Sequence, residues 1–347
     1  MQAEPATAIA KTLKAMSQGY YRYPTIAGNL LVFVCEDDLW SVSLEGGSAR
    51  RLTTGFGSAT FPRLSPDARS IAFISNDDGN PELYVMPAEG GVPTRRTFLG
   101  ATMASISGWS HDGSEIFFSA NPSAWYEREM RAFSISADGG TPQELRLGHV
   151  RALSRDARGR TAIGRNADDP ARWKRYRGGT AGEIWIDAAG NGDFERLALP
   201  AGNPVWPMWI GERIYFLTDH EGIGKIYSCS PDGSDLRTES NESEYYARFP
   251  ATDGSRIAYG VGGNIAIFDS TDHTTRVVEI ATTNTRCSGH RESTLGPISG
   301  ARGYGRASES YFPRDRGRRV RGDDLKRQAF HRSARARVRS DVRCRRR

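Results

Sequence analysis

The chain has 347 residues, 38% hydrophobic and 25% charged, with 38 Gly, 17 Pro and a formal net charge of +6. It is long enough for a sizeable core and turn-dense enough for an all-β fold, and no stretch approaches the ~20 apolar residues of a membrane span. The cysteines Cys35, Cys229, Cys287 and Cys344 are scattered without a CxxC pair, which argues against a disulfide framework and leads us to expect buried or free thiols.

Residues 1–19 hold a helix-like run, Thr7 to Met16, with no signal-peptide pattern, and read as an N-terminal extension. Tyr23 to Thr53 then gives a first set of four short strands. The clearest set follows, with strands at Phe61–Leu64, Ser70–Ser75, Glu82–Pro87 and Thr94–Phe98. Its turns fall at Ser65-Pro66-Asp67-Ala68, Asp77-Asp78-Gly79-Asn80 and Gly90-Gly91, where Gly, Asn and Asp accept the required backbone angles. One such antiparallel sheet cannot bury both of its faces alone.

Further copies follow. The turn at Asp67 recurs at Asp112, Asp156 and Asp253, with Trp209 to Glu212 as the intervening member and Ala27 to Asn29 as an earlier one. The third strand recurs from Asp38, Glu82, Arg131, Glu183, Lys225 and Asn264, each time alternating with period two. Six copies at a spacing of roughly 40–50 residues predict a six-bladed β-propeller of four-stranded antiparallel blades. We place it at residues 20–280, the sixth copy running from about Arg248 to Ile280. Each blade supplies its own strands, so the ring is expected to close by side-chain packing alone.

The fourth copy carries the longest insertion, Gly164 to Thr180. There Arg172, Lys174, Arg175 and Arg177 surround Trp173 and Tyr176 ahead of Gly178-Gly179. One reading is a loop that holds a carboxylate or phosphate; the other is a long hairpin loop whose arginines pair with Asp168, Asp169 and neighbouring blades. Other chemistry is thin. Ser110-His111-Asp112 are consecutive and occupy a blade turn, so they cannot form a hydrolase triad. The run from Asp187 to Asp193 resembles a calcium loop but lacks its distal Glu, and reads as a hairpin turn. The six His show no metal-ligand spacing. We therefore expect no catalytic residue, no metal and no cofactor.

Charge is divided unevenly. Residues 281–347 hold 19 Lys and Arg against 6 Asp and Glu, leaving 28 basic and 35 acidic residues before them. This Arg-rich tail has no apolar period, so disorder is expected. An arm for nucleic-acid phosphates is one use for such a tail, but interleaved aromatics are few and nucleic acid is not the expected partner. A shift of reading frame after Ile280 accounts best for the break.

The repeat unit resembles the WD40-like repeat of TolB-type propellers. More specifically, Asp169 to Asp187, Arg213 to Arg237 and Tyr23 to Trp40 resemble the amino-terminal six-bladed propeller of the tricorn protease family, over roughly residues 20–280. The resemblance implies a cytoplasmic, self-compartmentalising serine peptidase that trims oligopeptides downstream of the proteasome. It also implies hexamers, and a second propeller, a PDZ domain and a split catalytic domain downstream. In that family this propeller forms a side channel, and a basic pair in a third-blade loop anchors a substrate carboxylate. The corresponding stretch here, Leu99 to Ser107, has no Arg or Lys. The expected role is a channel, gate and scaffold for oligopeptides, without its own catalytic centre. The alternative is a freestanding propeller that binds a protein or peptide.

Overall fold

The computed structural model describes residues 20–54, 57–122 and 129–282. Sequence order is spatial order in each of six four-stranded antiparallel sheets. Blade 1 comprises Arg22–Ala27, Leu30–Cys35, Asp38–Ser43 and Arg50–Arg51, and blade 2 comprises Thr60–Leu64, Ser70–Ser75, Glu82–Pro87 and Thr94–Arg95. Blade 3 is Ala104–Trp109, Glu115–Ala120, Arg131–Ser136 and Gln143–His149; blade 4 is Ala152–Arg155, Thr161–Arg165, Glu183–Asp187 and Glu195–Arg196. Blade 5 is Val205–Ile210, Arg213–Thr218, Lys225–Cys229 and Arg237–Thr238; blade 6 is Arg248–Thr252, Arg256–Val261, Asn264–Asp269 and Thr274–Val277. The first strands of successive blades pack on one another all the way round, the sixth against the first. They are the inner strands of a closed ring.

Period-two patterning builds this ring because each face of a middle strand meets a different neighbour. Leu31, Phe33 and Cys35 pack with Ile265 and Ile267 of blade 6, whereas Val32 and Val34 pack with Ile71 and Phe73 of blade 2. The six sheets thus share their cores. A recurrent polar tie fixes the outer strands. Thr53 accepts the Leu39 N–H at 2.9 Å and donates to Asp38 at 2.8 Å; Thr97 repeats this with the Leu83 N–H at 2.9 Å and Glu82 at 2.5 Å.

Three expectations need correction. The ring does not close by side-chain packing alone. Ile280–Ala281 pairs in parallel with Gly47–Ser48, and the Tyr21 N–H donates to the Gly263 carbonyl at 2.8 Å. Beyond the fourth strand of blade 6 the chain uses the unpaired edge at Gly47-Ser48. A Cβ on Gly46 would lie 2.5 Å from the Glu279 carbonyl oxygen, so the approach requires glycine. Among the thiols, Cys229 is buried and free, but Cys35 is disulfide-bonded. The stretch Leu99 to Ser107 is a linker that runs into the first strand of blade 3, rather than one loop. The expectations for residues 1–19 and for the tail from residue 283 onward lie outside the described residues.

Candidate functional site

The antiparallel meander sorts the connections to two ends of the ring. One end carries the turns between first and second and between third and fourth strands, and these are polar. Ser110 donates to Asp112 at 2.6 Å and Asp112 accepts the Ser114 N–H at 3.1 Å, which with the Ser114 hydroxyl holds its carboxyl down at about 2. That is a turn, as expected of Ser110 to Asp112. Asp187 likewise accepts the N–H groups of Gly190, Asn191 and Gly192 and closes a hairpin. The opposite end carries the loops between second and third strands and the linkers between blades. Among the described residues the exposed large hydrophobics are Tyr20, Val92, Phe98, Trp173 and Tyr245. All but Val92 lie at this second end. Most of the exposed large hydrophobics of the described residues are therefore at this end.

The insertion in blade 4 rises on this face between Thr161–Arg165 and Glu183–Asp187 and leans on blade 5. Asp219, fully buried, accepts the Arg175 N–H at 2.7 Å, the Asn203 N–H at 3.0 Å and the Arg177 guanidinium at 3.4 Å. The Arg175 side chain donates to the Gly222 carbonyl at 3.1 Å, and Lys174 lies 5.3 Å from the centre of the Tyr246 ring. A Cβ on Gly182 would stand 2.4 Å from the Pro204 carbonyl, so the loop's return also depends on glycine. Three of the four candidate basic residues therefore fasten the loop.

The fourth has a different setting. Arg172 is exposed and lines a cleft of about 90 Å³ with Arg151, Asp169, Trp173, Tyr176 and Asn203. The expected pairing of the loop arginines with Asp168 and Asp169 does not occur. Asp168 lies 3.9 Å from Arg151, and Asp169 accepts the Arg248 Nε at 3.1 Å. These acids meet Arg151, just ahead of the first strand of blade 4, and Arg248 on the first strand of blade 6, and leave Arg172 on the cleft wall with no acid partner among the described residues.

Sequence reasoning missed what lies beside the cleft. Four inner strands carry an aromatic–proline pair: Tyr23-Pro24, Phe61-Pro62, Trp206-Pro207 and Phe249-Pro250. In each the strand register slips, and the aromatic residues have φ of 49, 49, 53 and 49°. Proline has no N–H to place in a ladder, so it sits at a bulge, and bulges re-aim side chains. The rings converge: Tyr23–Phe61 centroids are 4.5 Å apart, Tyr23–Phe249 4.3 Å and Phe61–Trp206 5.9 Å. Phe61 and Trp206 come from opposite blades, 2 and 5, so they meet across the ring axis. Arg63 completes the cluster. It is buried and donates to the carbonyls of Ser107, Pro62 and Pro250 at 3.2, 3.0 and 3.3 Å, and desolvation lowers its pKa to about 10. The recurring dipeptide was the available signal.

One further constellation contains hydrolase residue types. The Ser228 hydroxyl donates to Glu239, whose other oxygen meets His273 Nδ1 at 2.8 Å. The carboxylate stands between serine and imidazole, so His273 is not placed to take the Ser228 proton.

Comparison with known proteins agrees with the architecture. The model of the tricorn protease N-terminal β-propeller domain matches residues 18–274. Tricorn protease homolog 1 of Streptomyces coelicolor is 38% identical over 305 residues, covering 87% of this chain and 28% of that protein. A crystal structure of the tricorn protease superposes with a TM-score of 0.69 at 32% identity, over 76% of this chain and 26% of that one. A putative tricorn-like protease N-terminal subunit of Sulfurisphaera tokodaii is 31% identical over 175 residues, which are 49% of this chain and 87% of the subunit. The chain thus spans about a quarter of the length of the first two.

Proposed function

This chain belongs to the family of the tricorn protease N-terminal β-propeller domain, and we propose that it acts as the amino-terminal scaffold and peptide gate of a cytoplasmic tricorn-like serine peptidase, whose catalytic groups lie outside the described residues. Its partners in this reading are oligopeptides, the downstream peptidase domains and other copies of itself in a hexamer. A relative whose printed name is that of an N-terminal subunit favours a propeller that can work as a separate piece alongside a catalytic chain.

The observation that carries the reading is the Arg172 cleft at the loop-and-linker end of the ring. A guanidinium with no acid partner among the described residues, beside an exposed Trp173 and a Tyr176 ring at 5.6 Å from it, suits a carboxylate on a short apolar segment. Arginine binds a carboxylate through two parallel hydrogen bonds, and the aromatic pair receives the last side chain. A peptide's free C-terminus has both features.

Calorimetric titration of a short peptide as its free acid and as its C-terminal amide tests this. The acid should bind at least about tenfold more tightly than the amide, and Arg172→Ala should remove that difference. Equal binding of acid and amide would refute the carboxylate reading.

A further inference from the structure

We propose that the propeller axis is a shut gate, in which Phe61, Trp206 and Arg63 form the bolt and the Asp168-Asp169 segment of the blade-4 loop is the latch. The reading of a peptide-binding cleft underlies only its trigger. The bolt consists of rings from opposite blades and a guanidinium tied to carbonyls of blades 2, 3 and 6. Arg63 also lies 5.6 Å from the centre of the Trp206 ring, which joins cation and aromatics into one body. Nothing of peptide width passes an axis where rings from facing blades are within contact distance.

The latch is a set of direct contacts. Trp206 Nε1 donates to the Asp168 carbonyl at 2.6 Å. Asp169 holds Arg248, whose guanidinium lies 4.9 Å from the centre of the adjoining Phe249 ring. Residues 168 and 169 also line the cleft with Arg151 and Arg172. A carboxylate entering there competes with Asp168 for Arg151 and shifts the segment that holds Trp206. Two features mark the bolt as poised rather than merely packed. Bulky residues at φ of 49–53° are strained and persist only where the surroundings impose them. The ties of Arg63 all go to neutral carbonyls, which a moving guanidinium can exchange for water more readily than a buried carboxylate.

The test uses the full chain labelled with 5-fluorotryptophan, the Trp206 resonance being assigned by its loss in Trp206→Phe. A soluble paramagnetic agent reports access to that ring. In the wild type the line should stay protected. In Asp169→Ala its broadening should rise about tenfold, with the other tryptophan lines unchanged; Arg248→Gln, which keeps a polar side chain, should move it in the same direction. A protected Trp206 line in both folded variants would overturn the latch. Adding the free-acid peptide to wild type should expose the line and the amide should not. If the variants open while the peptide does nothing, the gate stands and the cleft reading fails.

Discussion

Blades 2 and 4 share one four-stranded plan and differ in where they depart from it. Blade 2 joins its second and third strands through the short stretch 76–81 and sends its departures inward, as Phe61 and Arg63 at the axis. Blade 4 keeps an ordinary inner strand, Ala152–Arg155, and sends its departure outward as the loop over 166–182. Repetition builds the ring and interruption builds the site. The two interruptions meet, because the blade-4 loop reaches the axis through Asp168 and Trp206.

The largest effect should come from the repeated part. Phe73 is fully buried and stacked on Tyr84 at 5.8 Å, so Phe73→Ala should destabilise by about 4 kcal/mol, read as a fall in the denaturant midpoint. Trp173→Ala on the blade-4 loop, where the side chain is 56% exposed, should stay within about 0.5 kcal/mol. Similar losses at both positions would erase the distinction between frame and site.

The intermediate effect concerns how the loop is fastened. Asp219→Ala removes a buried acceptor of two backbone N–H groups, the Asn203 side-chain amide and one guanidinium and should cost about 2–3 kcal/mol. The loop should also become sensitive to trypsin between Arg172 and Arg177, while Asp67→Ala in the exposed blade-2 turn should leave trypsin resistance unchanged. A loop that stays resistant in folded Asp219→Ala would show that Lys174 on Tyr246 suffices to hold it.

The frame was legible because its causes are local. Short runs of β-forming residues such as Leu30–Cys35 and Ser70–Ser75, and the Asp-centred turns, are short-range signals, and both runs are strands in the fold. The site was only half legible. Arg172, Lys174, Arg175 and Arg177 stood out together as charges in an aromatic loop, but nothing local set Arg172 apart, and Arg175 and Arg177 bind Asp219, more than 40 residues away. Arg248 and Asp169 are separated by 79 positions, and Arg63 and Pro250 by 187; only ring closure brings such residues together. The ring's main-chain closure was missed for the same reason, since Gly47-Ser48 and Ile280-Ala281 carry no strand pattern of their own.

The smallest predicted effect separates the two blades by pH. Blade 2 contains no histidine, whereas His149 ends blade 3 against blade 4. Burial lowers its pKa below 6.5, Arg151 and Arg165 push the same way, and Glu129 opposes them. The Met130 N–H donates to its Nδ1 at 3.2 Å, so the neutral ring carries its proton on Nε2. The folded state thus binds the proton less readily than the unfolded chain. Stability from this group is complete above pH 6.5 and is lost as pH falls through the depressed value. His220 of blade 5 is lowered in the same direction by burial and adds to the slope. Melting temperature should therefore drop between pH 7.5 and 5. His149→Asn, which keeps an acceptor for Met130 but cannot be protonated, should make that drop smaller without abolishing it. An unchanged pH slope in His149→Asn would place the acid sensitivity away from the junction of blades 3 and 4, and the pH contrast with blade 2 would disappear.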